Sequence, residues 1–276
     1  VPPSVIAEAV PIQLNLLNAI TEEASMKFQP LSLAVLLLVT FTSSAIAQKT
    51  DPPKDPKAES STIPAASAIT DKSTPTDLAR AALASMGGDN FKKLKSSFVM
   101  GSVNLYAPGQ TQSIPGSFAI ATAGDKVRVD INAAPAGVFK QIYDGQRSFS
   151  SIPGVEIPAP SKFGLPILAR YDQPGYTVTA IPDKKKLRGF RIADADGNAT
   201  DYYLDPATAR VNEYVIPYQG YTFGSTISKF AEVDGVLIPM SFTQRFEMTM
   251  GAYFAEYKVK SAKVNQPIGD DVFVIQ

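Results

Sequence analysis

The chain has no cysteine, no histidine and no tryptophan among its 276 residues. Without cysteine there is no disulfide, no thiol nucleophile, no thiolate metal site and no lipid-modified N-terminal cysteine. Without histidine the commonest general base and the usual metal ligand are missing, and with them every Ser-His or Cys-His arrangement. A charge imbalance is missing too, since 26 basic residues face 26 acidic ones. Nucleic acid needs a clustered positive face, so no nucleic-acid partner is expected. No G-x-S-x-G, phosphate loop or dinucleotide fingerprint occurs. These absences point to a protein that is not an enzyme and uses no cofactor and no metal.

Long apolar runs are scarce, with one informative exception. Met26 and Lys27 precede an apolar stretch from Leu31 to Phe41, closed by Ala45-Ile46-Ala47. A membrane span needs about 20 apolar residues, and this core is roughly half that. Small residues at Ala45 and Ala47 fit a signal-peptidase site. Residues 26–47 are therefore expected to be a signal peptide cut after Ala47, placing the protein in the periplasm. Residues 1–25 carry Glu8, Glu22 and Glu23 and no basic residue, the wrong chemistry for the start of an export signal. They read as a mis-assigned N-terminal extension. The one Lys and three Glu of residues 1–47 removed, 25 basic and 23 acidic residues remain.

Gln48 to Pro75 is rich in Pro, Ser, Thr, Ala and Lys without hydrophobic periodicity. Such a segment buries too little apolar surface to offset its ordering entropy and is expected to be a disordered linker. Residues 76–276 suffice for one domain with its own core. It opens with a helix that Thr74 or Thr76 can cap and that Gly87-Gly88 ends, with Leu78, Ala82, Leu83 and Met86 on one stripe.

Strand signals dominate downstream. Lys126 to Asn132 alternates cleanly, with Val127, Val129 and Ile131 on one face and Arg128, Asp130 and Asn132 on the other. Eleven such segments follow one another between Ser97 and Val264, punctuated by Gly124-Asp125, Asp144-Gly145, Asp196-Gly197 and Asp234-Gly235. Short links predict an antiparallel meander. The pattern breaks from Ile152 to Arg170, where Pro153, Pro158, Pro160 and Pro166 exclude a central strand. Pro166 to Tyr171 suits a short helix with proline in its first turn. The expected fold is mainly β, a curved sheet whose one face is covered by the N-terminal helix and this mid-chain insertion.

Several smaller motifs are turn chemistry. Asp194-Ala195-Asp196-Gly197-Asn198, with Asp205 at the twelfth position, has its glycine at position four where a calcium loop needs it at six. It reads as a hairpin turn. Lys184-Lys185-Lys186 lies in another turn, with an anionic-lipid contact as the alternative. Asp270-Asp271 reads as a capped turn. Pro217 to Gly224 gathers aromatics around glycines, which suits cross-strand packing or an aromatic rim on a cavity.

Read in order, the elements resemble the LolA/LolB-like superfamily of outer-membrane lipoprotein-sorting and lipoprotein carrier-like proteins. The resemblance rests on the leading helix ending Met86-Gly87-Gly88, the Ile142-Tyr143-Asp144-Gly145-Gln146 hairpin and the Tyr202-Tyr203-Leu204-Asp205-Pro206 segment. It also rests on Val233-Asp234-Gly235-Val236 and the closing Gln266-Pro267-Ile268-Gly269-Asp270. It implies an unclosed antiparallel half-barrel with helices in its concave side and an apolar cavity that holds acyl chains. An acyl lipid or lipoprotein is the partner so implied, with an envelope membrane protein as a possible second one. The carrier's inward arginine has no clear counterpart, because Arg128 alternates with Val127 and Val129 and faces outward.

Strand alternation nominates the cavity residues. Phe118 and Ile120 with Val127, Val129 and Ile131 form one wall; Ile238, Met240, Phe242 and Phe246 form another; Leu165, Ile167 and Leu168 form a mobile lid. A rival reading is an envelope sensor or assembly module that binds a protein partner on the same curved sheet.

Overall fold

The computed structural model describes residues 69–134, 136–152, 158–249 and 251–275, all within the unit Ser61–Gln276. The segments expected to be an N-terminal extension, an export signal with its cleavage site at Ala45 and Ala47, and a linker up to residue 68 lie outside the described residues.

Helix α1 spans Pro75–Ser85 and starts on a capping box. The Asp77 N–H donates to the Thr74 hydroxyl at 3.2 Å, and the Thr74 N–H donates to the Asp77 carboxylate at 3.0 Å. Two of the helix's unpaired donors are thereby satisfied. Gly87 follows with φ of 120°, and a Cβ there would stand 2.4 Å from the Gly235 carbonyl oxygen. Only glycine allows both that turn and that approach. A single turn, α2 (Asp89–Lys92), then buries Phe91. The folded chain starts earlier than composition suggests: Ile69 packs against the core and Arg188 donates to the Thr70 carbonyl.

Twelve strands make one sheet: β1 Ser96–Tyr106, β2 Ile114–Ala123, β3 Lys126–Asn132, β4 Val138–Tyr143, β5 Ser148–Ser150, β6 Thr177–Ala180, β7 Arg188–Ala193, β8 Ala199–Leu204, β9 Val211–Tyr218, β10 Tyr221–Val233, β11 Val236–Met248 and β12 Gly251–Val264. The eleven expected segments are all present. The addition is β5, whose three residues are too few to show alternation. Spatial order runs β5-β4-β3-β2-β1-β12-β11-β10-β9-β8-β7-β6. Two meanders, β1–β5 and β6–β12, are thus joined where the first strand pairs antiparallel with the last.

Consecutive strands β5 and β6 are consequently the two edges, and the sheet does not close into a barrel. The chain between them carries a 3-10 turn (Pro160–Lys162) and the one-turn helix α3 (Leu165–Leu168). Irregular register between Met100 and Gly101 in β1, and around Lys229 in β10, strengthens local twist and bends the sheet. Both α1 and α3 lie on the same face, α1 against β6, β7 and α3. On the other face Arg128 binds Asp130 and donates to the Val272 carbonyl at 3.0 Å. That contact docks a C-terminal 3-10 turn (Asp270–Phe273) on β3, with Phe273 fully buried.

Candidate functional site

Register puts the apolar positions of neighbouring strands on one face. Ile131 opposes Phe118, which opposes Gly101, which opposes Val259. Val103 opposes Tyr257, Tyr257 opposes Phe242, and Phe242 opposes Ile227. Gly101 is required in this row, since a Cβ there would meet the Lys258 carbonyl oxygen at 2.0 Å and the Phe118 ring at 3.0 Å. Phe118 lies across the space that Gly101 leaves.

The floor of this region is Val103, Phe118, Ala255 and Tyr257, each at most 3% exposed. Tyr257 anchors it, meeting Phe118 edge-on at 4.9 Å and stacking on Phe242 at 4.7 Å. Around the floor, Val99, Leu105, Ile120, Ile131, Phe242, Phe246 and Val259 are only half-buried. No helical residue joins this cluster among the described residues. The inner-face positions it comprises carry no charge. Together these side chains form a half-buried apolar strip, the trough, across β3, β2, β1, β12 and β11.

A chain of aromatic rings links the trough to the mid-chain insertion. Phe163 meets Tyr218 at 5.7 Å, Tyr218 meets Phe223 at 6.1 Å, and Phe223 meets Phe246 at 5.7 Å. The glycine-aromatic hairpin therefore packs across strands and also continues the trough's lining toward the insertion.

The remainder of the inner face is filled. Leu78, Ala82 and Leu83 from α1, Met86 at its C-cap, and Ile167 and Leu168 from α3 pack with Phe190, Ile192, Tyr202, Leu204 and Val236. Two buried hydrogen bonds hold the insertion there: the Gly164 N–H donates to the Thr200 hydroxyl at 3.0 Å, and the Tyr202 hydroxyl donates to the Gly164 carbonyl at 2.6 Å. Gln141 donates to the Pro158 carbonyl at 3.2 Å, and Arg170 pairs with Asp125.

Of the nominated residues, Phe118, Ile120, Ile131, Phe242 and Phe246 meet in the trough. Val129 is half-buried and stands between Ile120 and Gln141 in register. Val127 is 4% exposed beside Tyr143. Ile238, Met240 and Leu165 belong to or border the helix-packed core. Leu168 at 0% and Ile167 at 3% exposure are integral to that core, where sequence suggested a mobile lid. The reason is α1, which lies against α3 and closes over side chains that looked free to move. Sequence reasoning passed over Val103, Tyr257 and Val259, although β1 and β12 both alternate. The missing signal was the pairing of the first strand with the last.

Electrostatically the face is quiet. Burial raises the phenols of Tyr202, Tyr214 and Tyr257 above the ordinary tyrosine value. Ser225 and Gln244 face the Tyr214 hydroxyl and partly offset its shift. These neutral groups offer hydrogen bonds without charge. Among the described residues the face presents apolar side chains and no nucleophile beside a base.

No family model and no curated protein matches the chain. In structure it is similar to a LolA superfamily protein from Nitrosomonas europaea, at 12% identity and a TM-score of 0.49 over 74% of this chain and 98% of that one. It is also similar to a DUF1329 family protein from Desulfovibrio piger, at 11% identity and a TM-score of 0.48 over 73% and 98%. The fold of this chain is an open antiparallel sheet of twelve strands with helices against its inner face, the unclosed, mainly β architecture expected from the sequence.

Proposed function

We propose that the protein is a non-catalytic carrier, exported to the periplasm, that holds an acyl chain of a lipid or lipoprotein in the helix-free trough. The observation that carries this reading is the row of half-buried apolar side chains around Phe118, Tyr257 and Phe242. Contiguous apolar surface left accessible on a folded chain marks a binding site for apolar material. Rings stacked at the floor add area without adding charge, which suits a flexible hydrocarbon. Hydrogen-bonded neighbours β3, β2, β1, β12 and β11 run behind the trough.

Titration with a fluorescent fatty acid tests the reading. Wild-type protein binds it and releases it to unlabelled fatty acid, and Ile120→Ser weakens binding several-fold. A protein that binds neither fatty acid nor phospholipid, yet retains a peptide on the same face, overturns the carrier reading in favour of a sensor or assembly module. Export is tested separately by N-terminal sequencing of protein recovered from a periplasm, with Gln48 the expected first residue. A retained Met26 or Val1 excludes cleavage after Ala47.

A further inference from the structure

Strand β12 crosses the middle of the sheet, and its outer face is a row of lysines. Lys258, Lys260 and Lys263 are all exposed. Lys260 is the extra residue at the register slip opposite Met100 and Gly101, and Lys263 follows it opposite Phe98, which spreads the three along the strand. Ser241 opposes Lys258 on one side and exposed Lys229 on the other. At about 4.8 Å per strand, Lys229 and Lys258 have backbones about 10 Å apart. None of these four ammonium groups has an ion pair among the described residues, whereas Lys92, Lys126 and Lys184 each hold a carboxylate. The nearest acid along β12, Glu256, already accepts the Tyr106 hydroxyl at 2.9 Å. Beside the row, Met100 is 46% exposed.

We propose that this lysine row docks the protein on an anionic phospholipid surface. Its composition favours a membrane over a protein partner. Protein interfaces are rich in arginine and aromatics and poor in lysine, and this row carries four lysines and no arginine, with Ser102 and Ser241 beside Lys258 and a single aromatic, Phe98, opposite Lys263. Ammonium groups on long stems reach headgroup phosphates without fixed geometry, and Met100 can settle among headgroups. Each lysine brought to such a surface tightens binding about fivefold, so the row suffices for weak, salt-sensitive, reversible attachment. The row lies opposite the trough, so docking does not depend on what the trough holds.

Co-sedimentation of the full chain with vesicles tests this, comparing phosphatidylcholine alone with phosphatidylcholine containing phosphatidylglycerol. The readout is the difference between the two, because the apolar Leu31–Phe41 stretch affects both alike. Wild-type protein is expected to prefer the anionic vesicles, and raising salt to about 0.5 M removes the preference. The combined variant Lys258→Gln, Lys260→Gln, Lys263→Gln loses the preference by on the order of 100-fold, and Lys229→Gln alone loses about fivefold. Lys185→Gln with Lys186→Gln, in a distant turn, keeps it. Equal binding to both vesicles overturns the proposal. So does a preference that survives the combined variant, or one that the turn variant abolishes.

Discussion

The inner face of the sheet falls into two regions made from the same kind of strand. Around β7 and β8, Phe190, Ile192, Tyr202 and Leu204 alternate inward, and each is at 0% exposure because α1 and α3 press on them. Around β11, β12 and β1 the alternation is just as regular, yet Phe242, Val259, Val99 and Leu105 stay half-buried. Strand composition does not distinguish the two. The neighbour does: one region is a core and the other is an apolar surface, because the helical pieces are short and reach only one of them.

Cavity-forming substitutions should separate the regions most sharply. Leu168→Ala removes a fully buried side chain from the helix-packed region and should cost about 2–5 kcal/mol in denaturant unfolding. A loss under about 1 kcal/mol would show that α3 lifts off the sheet, and the contrast between the regions would collapse.

Phe242→Ala is the matching change in the trough. The ring is half-buried, so the expected stability loss is about 1–2 kcal/mol, while fatty-acid affinity falls at least about tenfold. A stability loss as large as that of Leu168→Ala would mean the trough is core.

Tyr202→Phe removes the donor that satisfies the Gly164 carbonyl inside the covered region. An unsatisfied buried acceptor costs about 1–3 kcal/mol, and fatty-acid binding should be unchanged. A variant that instead gains affinity would show that the insertion gates the trough.

Titration gives the smallest effect, with opposite signs at the two ends of the pH scale. Backbone and hydroxyl hydrogen bonds from Thr74 hold the Asp77 carboxyl below its ordinary value. Its contribution to α1 is therefore full above about pH 4 and fades as pH falls through the lowered value. Burial holds Tyr202 and Tyr257 above the ordinary phenol value, so stability tied to their neutral forms is full below about pH 10 and fades above it. Melting temperature against pH should fall at both ends, and Asp77→Asn should flatten only the acid limb.

Strand existence and antiparallel pairing of chain neighbours were legible, because Val127, Val129 and Ile131 alternate and the Asp-Gly and Gly-Asp turns are short. Half of the trough was legible for the same reason: Phe118, Ile120 and Ile131 share a face in any hairpin of β2 and β3. The full burial of Leu168 was not legible, since Gly164 and Pro166 beside it signal irregular backbone and say nothing of what lands on top.

By itself, then, the sequence determined the eleven longer strands, the local hairpins, helix α1 and the lack of histidine and thiol chemistry. Those are properties of periods, turn residues and composition, which act over a few residues. Tertiary structure alone decided that β1 pairs with β12, which brings Val103 to Tyr257 across 154 positions of chain and makes one trough from two meanders. It also decided which region the helices cover. Both outcomes depend on long-range pairing and on where α1 docks, and no local pattern encodes a contact between segments so far apart.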